Sequence, residues 1–158
     1  MPYTSAEMRR FNHLMGELDA VYHCMSLKLG VTDSEMSILY TVCDVGEPCP
    51  IREICRRCGL SKQTVNSALR KLEEQKSIRL ETCGFKSKSI VLTDSGRKLA
   101  EETALRVIGI ENEIFEAWPK EDMERYLGYM EKYLSELSLR AERLNCCSDI
   151  IPSGEEEK

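Results

Sequence analysis

The chain has 158 residues, 42% of them hydrophobic, a net charge of −5 at neutral pH and eight cysteines. That length fits one domain, or one domain with an oligomerisation element, and is enough to bury a core. No apolar run approaches the roughly 20 residues of a membrane span, and the N-terminal MPYTSAEMRRF lacks the apolar segment of a secretory signal, so a cytoplasmic protein with no membrane contact is expected.

Thr4 and Glu7 have the spacing of a capping box. Met8, Phe11, Met15, Leu18, Tyr22 and Met25 follow at helical intervals, predicting an amphipathic helix of about seven turns that ends at Leu29-Gly30. A second box, Thr32 with Glu35, is stapled by Val31 and Met36. Its helix turns Met36, Leu39, Tyr40 and Cys43 inward and stops before Gly46-Glu47-Pro48. Pro50 opens a short helix, PIREICRRCG, with Ile51, Ile54, Cys55 and Cys58 on its inner side, and Gly59 makes a tight turn.

Ser61 is the next N-cap, with Leu60 and Val65 at staple positions. Val65, Ala68, Leu69 and Leu72 form one apolar face of the helix that follows. Lys62, Gln63, Asn66, Ser67, Arg70 and Lys71 occupy the other, with Ser61 and Thr64 at its start; these donors and amides suit base edges and phosphates. Ile78, Leu80 and Thr82 alternate with Arg79 and Glu81 as in a strand; a turn at Cys83 to Ser87 contains Gly84, and Ile90 and Leu92 return on a second strand. Thr93, with Asp94 in the first turn, caps a long helix predicted to reach about Ala117, where Trp118-Pro119 breaks it. A last helix shows an apolar stripe through Met123, Tyr126, Leu127, Met130, Tyr133, Leu134, Leu137 and Leu144, and the acidic residues 146–158 read as a disordered tail.

A polar-faced helix followed by a basic-tipped hairpin is the layout of a winged helix-turn-helix, with the helix in the major groove and the hairpin on the flanking backbone. The overall negative charge argues against nucleic acid, but its distribution does not. Between Arg52 and Lys88 ten Lys/Arg stand against four Glu, a local +6 that leaves −11 for the remainder. A basic patch on an acidic body is a directional footprint for DNA, and the alternative is a solvated charged face. Lys86 and Lys88 on the hairpin are point charges suited to phosphates.

The run GLSKQTVNSALRKLEEQ, followed by a hairpin that ends in IVLTDSGRKLA, resembles the MarR family of bacterial transcription regulators across about residues 30–145. Its most specific piece is the LT-x-x-G of Leu92 to Gly96 behind the S-x-x-T-V helix. The resemblance implies a homodimer on a pseudo-palindromic operator of double-stranded DNA, released by a small ligand or by oxidation. The resulting fold expectation is mainly α with a small β-hairpin wing. Residues 1–30 would be a dimerisation helix, 31–96 the winged helix-turn-helix and 97–145 further dimerisation helices. Two departures stand out. Gly84 and Lys86 occupy positions where the family's wing often carries Asp-x-Arg, and Gln75-Lys76-Ser77 stands where a Gly commonly ends the recognition helix. The family also places aromatic effectors between the first, second and fifth helices, which nominates His13, Tyr22, Tyr40 and Cys43 as pocket residues.

Without a secretory signal the cysteines do not read as a disulfide framework. Cys55-x-x-Cys58, with Cys43 and Cys49, puts four thiols within sixteen residues, which suits zinc or a redox pair; the alternative is buried cysteine acting as a small hydrophobe. Cys49, at the start of a helix where a thiolate is favoured, is the redox candidate. No metal ligand set and no cofactor is assigned. Nothing resembles a nucleophile elbow, a phosphate loop or a paired-carboxylate site, so no enzyme is expected. The reading is a ligand-responsive DNA-binding repressor. Its alternatives are a thiol- or metal-sensing regulator using the central cysteines, and a winged helix serving only protein interaction.

Overall fold

The computed structural model describes residues 3–83 and 87–144. Among the described residues seven helices and three short strands follow in the order α1 (Ala6–Lys28), α2 (Asp33–Val45), β1 (Cys49–Pro50), α3 (Ile51–Arg57), α4 (Lys62–Glu74), β2 (Ile78–Cys83), β3 (Ser87–Leu92), α5 (Asp94–Glu102), α6 (Ala104–Glu116) and α7 (Lys120–Ala141), with a 3₁₀ turn at Glu142–Leu144. The expected class, mainly α with a β-hairpin wing, is what the chain adopts.

Helix α2 is the centre of the molecule. Ile38, Leu39 and Val42 on it are almost fully buried, and it packs against α1, α3, α4 and α6. Complete burial of an aliphatic side chain of this size contributes about 1.5–3 kcal/mol. Its N-terminus has the expected box: the Thr32 hydroxyl accepts from the Glu35 amide, and the Glu35 carboxylate accepts from the Thr32 amide. The staple residues Val31 and Met36 both join the core.

The three strands form an antiparallel sheet ordered β1-β3-β2. The hairpin pairs Ile78 with Leu92 and closes on Cys83 opposite Ser87. Strand β1, which sequence reading missed, pairs Cys49 with Ile90 and Pro50 with Ser89. The Glu47 carboxylate holds this arrangement by accepting from the Leu92 amide at 2.6 Å and from Arg97 Nη1 at 2.7 Å.

Two element boundaries differ from expectation. Helix α1 is capped by Ser5, whose hydroxyl accepts from the Met8 amide, and not by Thr4. The helix expected from Thr93 to Ala117 is two helices, broken at Thr103 (φ −127°, ψ −89°). Thr103 is buried and its hydroxyl donates to the Leu99 carbonyl at 2.5 Å. The break places Ala100, Ala104 and Val107 together in the core.

Helices α1 and α7 lie largely outside that core. Ser26 is the only buried residue of α1, and α7 has none. Phe11 of α1 meets Tyr133 of α7 with ring centroids 5.0 Å apart. Leu14, Leu18 and Val21 on α1 and Leu127, Leu134 and Leu137 on α7 remain exposed. Among the described residues no helix is long and apolar enough to cross a membrane.

Candidate nucleic-acid interface

Helix α4 is divided cleanly. Val65, Ala68, Leu69 and Leu72 are buried against the core, while Lys62, Gln63, Thr64, Asn66, Ser67, Arg70 and Lys71 are exposed. The Ser61 hydroxyl accepts from the Thr64 amide at 3.1 Å and lies 2.9 Å from the Thr64 hydroxyl, so the cap and the third residue of the helix form one unit. Gly59, at φ +61°, makes the turn from α3 to α4.

The helix ends on Lys76 at φ +58°, a left-handed position held by a residue other than glycine. The Ser77 amide donates to the Leu72 carbonyl and the Lys76 amide to the Glu73 carbonyl, the paired bonds of a Schellman cap. The Thr93 hydroxyl and the Ser95 hydroxyl both donate to the Lys76 carbonyl, at 2.6 and 2.8 Å. Gly96 lies so close that a Cβ there would sit 1.8 Å from the Ser77 carbonyl oxygen. The LT-x-x-G motif is therefore a clasp between the end of α4 and the start of α5.

The basic residues differ in their engagement. Arg56 and Arg57 share Glu53, and Arg57 also bonds Asp44 at 2.6 Å. Arg79 pairs with Glu81. Lys71, expected to face DNA, reaches back to the buried Glu35 at 3.1 Å and ties α4 to the start of α2. Among the described residues Lys62, Arg70, Lys76 and Lys88 have no carboxylate within ion-pair distance, so the charge on this face is concentrated in fewer groups than the count of basic residues implies. Lys88 is exposed at the start of β3; Lys86 lies outside the described residues, as does Gly84.

Among the described residues Cys43, Cys49, Cys55 and Cys58 are buried or half-buried. Cys49 is fully buried on β1, and burial pushes its thiol up to about 11, opposite to the shift expected for a thiol at a helix start. Ile90 opposite it and the three-stranded sheet take it out of solvent, a pairing that helix-start reasoning could not register. The Cys58 thiol lies 3.3 Å from the Thr41 hydroxyl and donates to the Ser37 carbonyl at 3.4 Å; burial raises its pKa, as it does that of Cys43. Cys24 is exposed.

A cavity of about 530 Å³ opens between α1, α2 and α6. Tyr22 and Tyr40, both expected there, line it. His13 does not: it is exposed on α1 beside Glu17. Cys43 packs toward the core and is not part of the lining either. Sequence reading missed Glu111 of α6, whose carboxylate accepts the Tyr22 hydroxyl on Oε1 and the Tyr40 hydroxyl on Oε2, the latter at 2.5 Å. Burial, reinforced by the Glu111 carboxylate, pushes the Tyr22 phenol up to about 12 and raises Tyr40 as well.

Residues 29–85 match the family model described as the MarR family. The segment from α2 to β2 is similar to the MarR family. None of the curated proteins matches it. Among solved structures, the chain is similar to a MarR/EmrR family regulator from Acinetobacter at 21% identity, over 84% of this chain and 95% of that one, with a TM-score of 0.66. It is similar to S. aureus MepR in complex with DNA at 23% identity, over 86% and 99%, with a TM-score of 0.63. It is also similar to PcaV of Streptomyces coelicolor, solved with its natural ligand, at 12% identity, over 85% and 98%, with a TM-score of 0.61. The likeness extends beyond the matched segment to the outer helices, so most of the chain shares the fold of these proteins.

Proposed function

We propose that the chain is a ligand-responsive transcription repressor that binds a pseudo-palindromic operator as a homodimer. The observation that carries this is the division of α4, which sends all its apolar side chains inward and leaves Lys62, Gln63, Asn66, Ser67 and Arg70 on one open face. In this reading Ser61, Lys62, Gln63, Thr64, Asn66, Ser67 and Arg70 meet the major groove, and Lys86 and Lys88 meet flanking phosphates. Lys71 serves both as a link to α2 and, with its half-exposed ammonium, as a backbone contact. The apolar faces of α1 and α7 cover each other across a two-fold axis, which sets two copies of α4 for two half-sites. The cavity lined by Tyr22 and Tyr40 is the effector site.

Similarity to a structure solved on DNA and to one solved with a small ligand is in keeping with both halves of this reading. A thiol sensor built on Cys49 or Cys58 is disfavoured, because both thiols are raised by burial and a reactive cysteine needs a depressed pKa. The deciding experiment is to pass fragments of the source genome over the protein and sequence what it retains. An inverted repeat with half-sites one helical turn apart, about 10 bp centre to centre, is the expected result. Fragments retained without any shared sequence would refute operator recognition.

A further inference from the structure

Resting on the reading of this cavity as the effector site, we infer that its ligand is a small aromatic cation, an amine or amidinium, with Glu111 as counter-ion. Three carboxylates line the space: Asp19, Asp33 and Glu111. Its two basic side chains, Arg57 and His23, are already engaged. Arg57 is held by Asp44 and Glu53, neither of which lines the cavity, and His23 bonds Asp33 at 2.7 Å. Among the described residues no Lys, Arg or His lies within ion-pair distance of Glu111, so its charge is unmatched inside the cavity.

The phenols do not meet that need. Tyr22 and Tyr40 each donate one hydrogen bond, one to either oxygen of Glu111, and two oxygens offer about four acceptor sites. The remaining sites, in a cavity that Tyr22 and Tyr40 also line, suit a charged N–H donor. A carboxylate accepts most strongly from an ionised donor, and tyrosine faces attract a cation within about 6 Å of the ring centre. Met36 and Val107 supply apolar wall for the ring of the ligand. An anionic aromatic would instead meet Glu111 with Arg57 already neutralised by its own partners. Glu111 also bridges α6 to α1 and α2, so a ligand bonded to it engages all three helices at once.

The test uses the full chain without DNA, titrated by calorimetry at neutral pH with two ligands matched in size, 1-naphthylmethylamine and 1-naphthaleneacetate. The amine is expected to bind at least about tenfold more tightly than the acid. Glu111→Gln, which keeps the shape and accepts a hydrogen bond but carries no charge, is expected to remove that preference. Tyr40→Phe, which keeps the charge, is expected to retain it. Equal or tighter binding of the acid, no binding of either compound, or an unchanged preference in Glu111→Gln would overturn the inference. Should Glu111→Gln fail to fold by circular dichroism, the native chain and Tyr40→Phe still decide. DNA retention measured on the same samples separates the two readings, since a chain that holds its operator yet ignores the amine loses only this one.

Discussion

The Lys76 carbonyl accepts the Thr93 hydroxyl at 2.6 Å, and this bond joins the end of α4 to the start of α5 behind the hairpin. It requires the chain to turn sharply at Lys76, which it does at φ +58°. A left-handed conformation costs a residue with a Cβ about 1–2 kcal/mol. Lys76→Gly removes that strain and adds about 0.5–1 kcal/mol of unfolded-chain entropy, so the variant is expected to be more stable by about 0.5–1 kcal/mol in urea unfolding. Gly96→Ala acts on the other side of the clasp. Its Cβ would meet backbone 1.8 Å away, and a loss of about 3 kcal/mol is expected. A Gly96→Ala protein as stable as the native one would show that the clasp opens without consequence.

Glu35 supplies a second junction, between α2 and α4. It is buried and accepts from the Thr32 amide, the Thr32 hydroxyl and Lys71. Burial alone would raise its pKa; the Thr32 bonds and the Lys71 ammonium outweigh it, and the carboxyl lies below its ordinary 4.5. A depressed folded value favours the ionised native form. The resulting stability is fully present above about pH 4.5 and is lost as pH falls through the folded value. Glu35→Gln is expected to lose about 1–3 kcal/mol at neutral pH and to lose less on acidification than the native chain. Parallel acid-induced losses in the two proteins would assign the titration to other groups.

Local signals carried the element boundaries that rest on a cap within three residues, as at Thr32, Ser61 and Thr93. The places where reading failed are those set by distant partners. Strand β1 is two residues long and exists only because Ile90 and Ser89 lie beside it. Thr103 breaks a helix with neither proline nor glycine nearby, because α5 and α6 must both lay small residues on the core. Glu111 looked like one more charge on an amphipathic helix. Its partners Tyr22 and Tyr40 are 89 and 71 residues away, a separation that no sequence period encodes.

Cys49 offers a direct check on burial. With its pKa near 11, roughly one thiol in 10⁴ is ionised at neutral pH, and the thiolate is the reacting species. Brief treatment with N-ethylmaleimide followed by peptide mass spectrometry should label Cys24, which is exposed, well before Cys49. Labelling of Cys49 first would restore it as an oxidant sensor.

The open face of α7 predicts assembly. Leu134 is 64% exposed and sits among Leu127 and Leu137, also exposed, on a helix with no buried residue. The native chain is expected to run as a dimer in size-resolved light scattering at micromolar concentration, and Leu134→Asp as a monomer or an aggregate. A monodisperse native monomer would refute the two-fold arrangement.

Helix and wing should divide the work of DNA recognition between them. Asn66 is exposed on the outer face of α4, one turn from the Ser61 cap, with the side-chain amide that pairs bidentately with adenine. One such pair gives about 1–3 kcal/mol of discrimination. Lys88 is an exposed point charge near the tip of the wing, opposite Thr82, with the flexible stem that suits a phosphate and not a base edge. Asn66→Ala is therefore expected to weaken operator binding while leaving binding to random DNA nearly unchanged. Lys88→Ala is expected to weaken both alike and to flatten the log-affinity against log-salt slope by about one per phosphate contact, or about two per dimer. If Lys88→Ala alters sequence preference and Asn66→Ala does not, the roles of helix and wing are reversed.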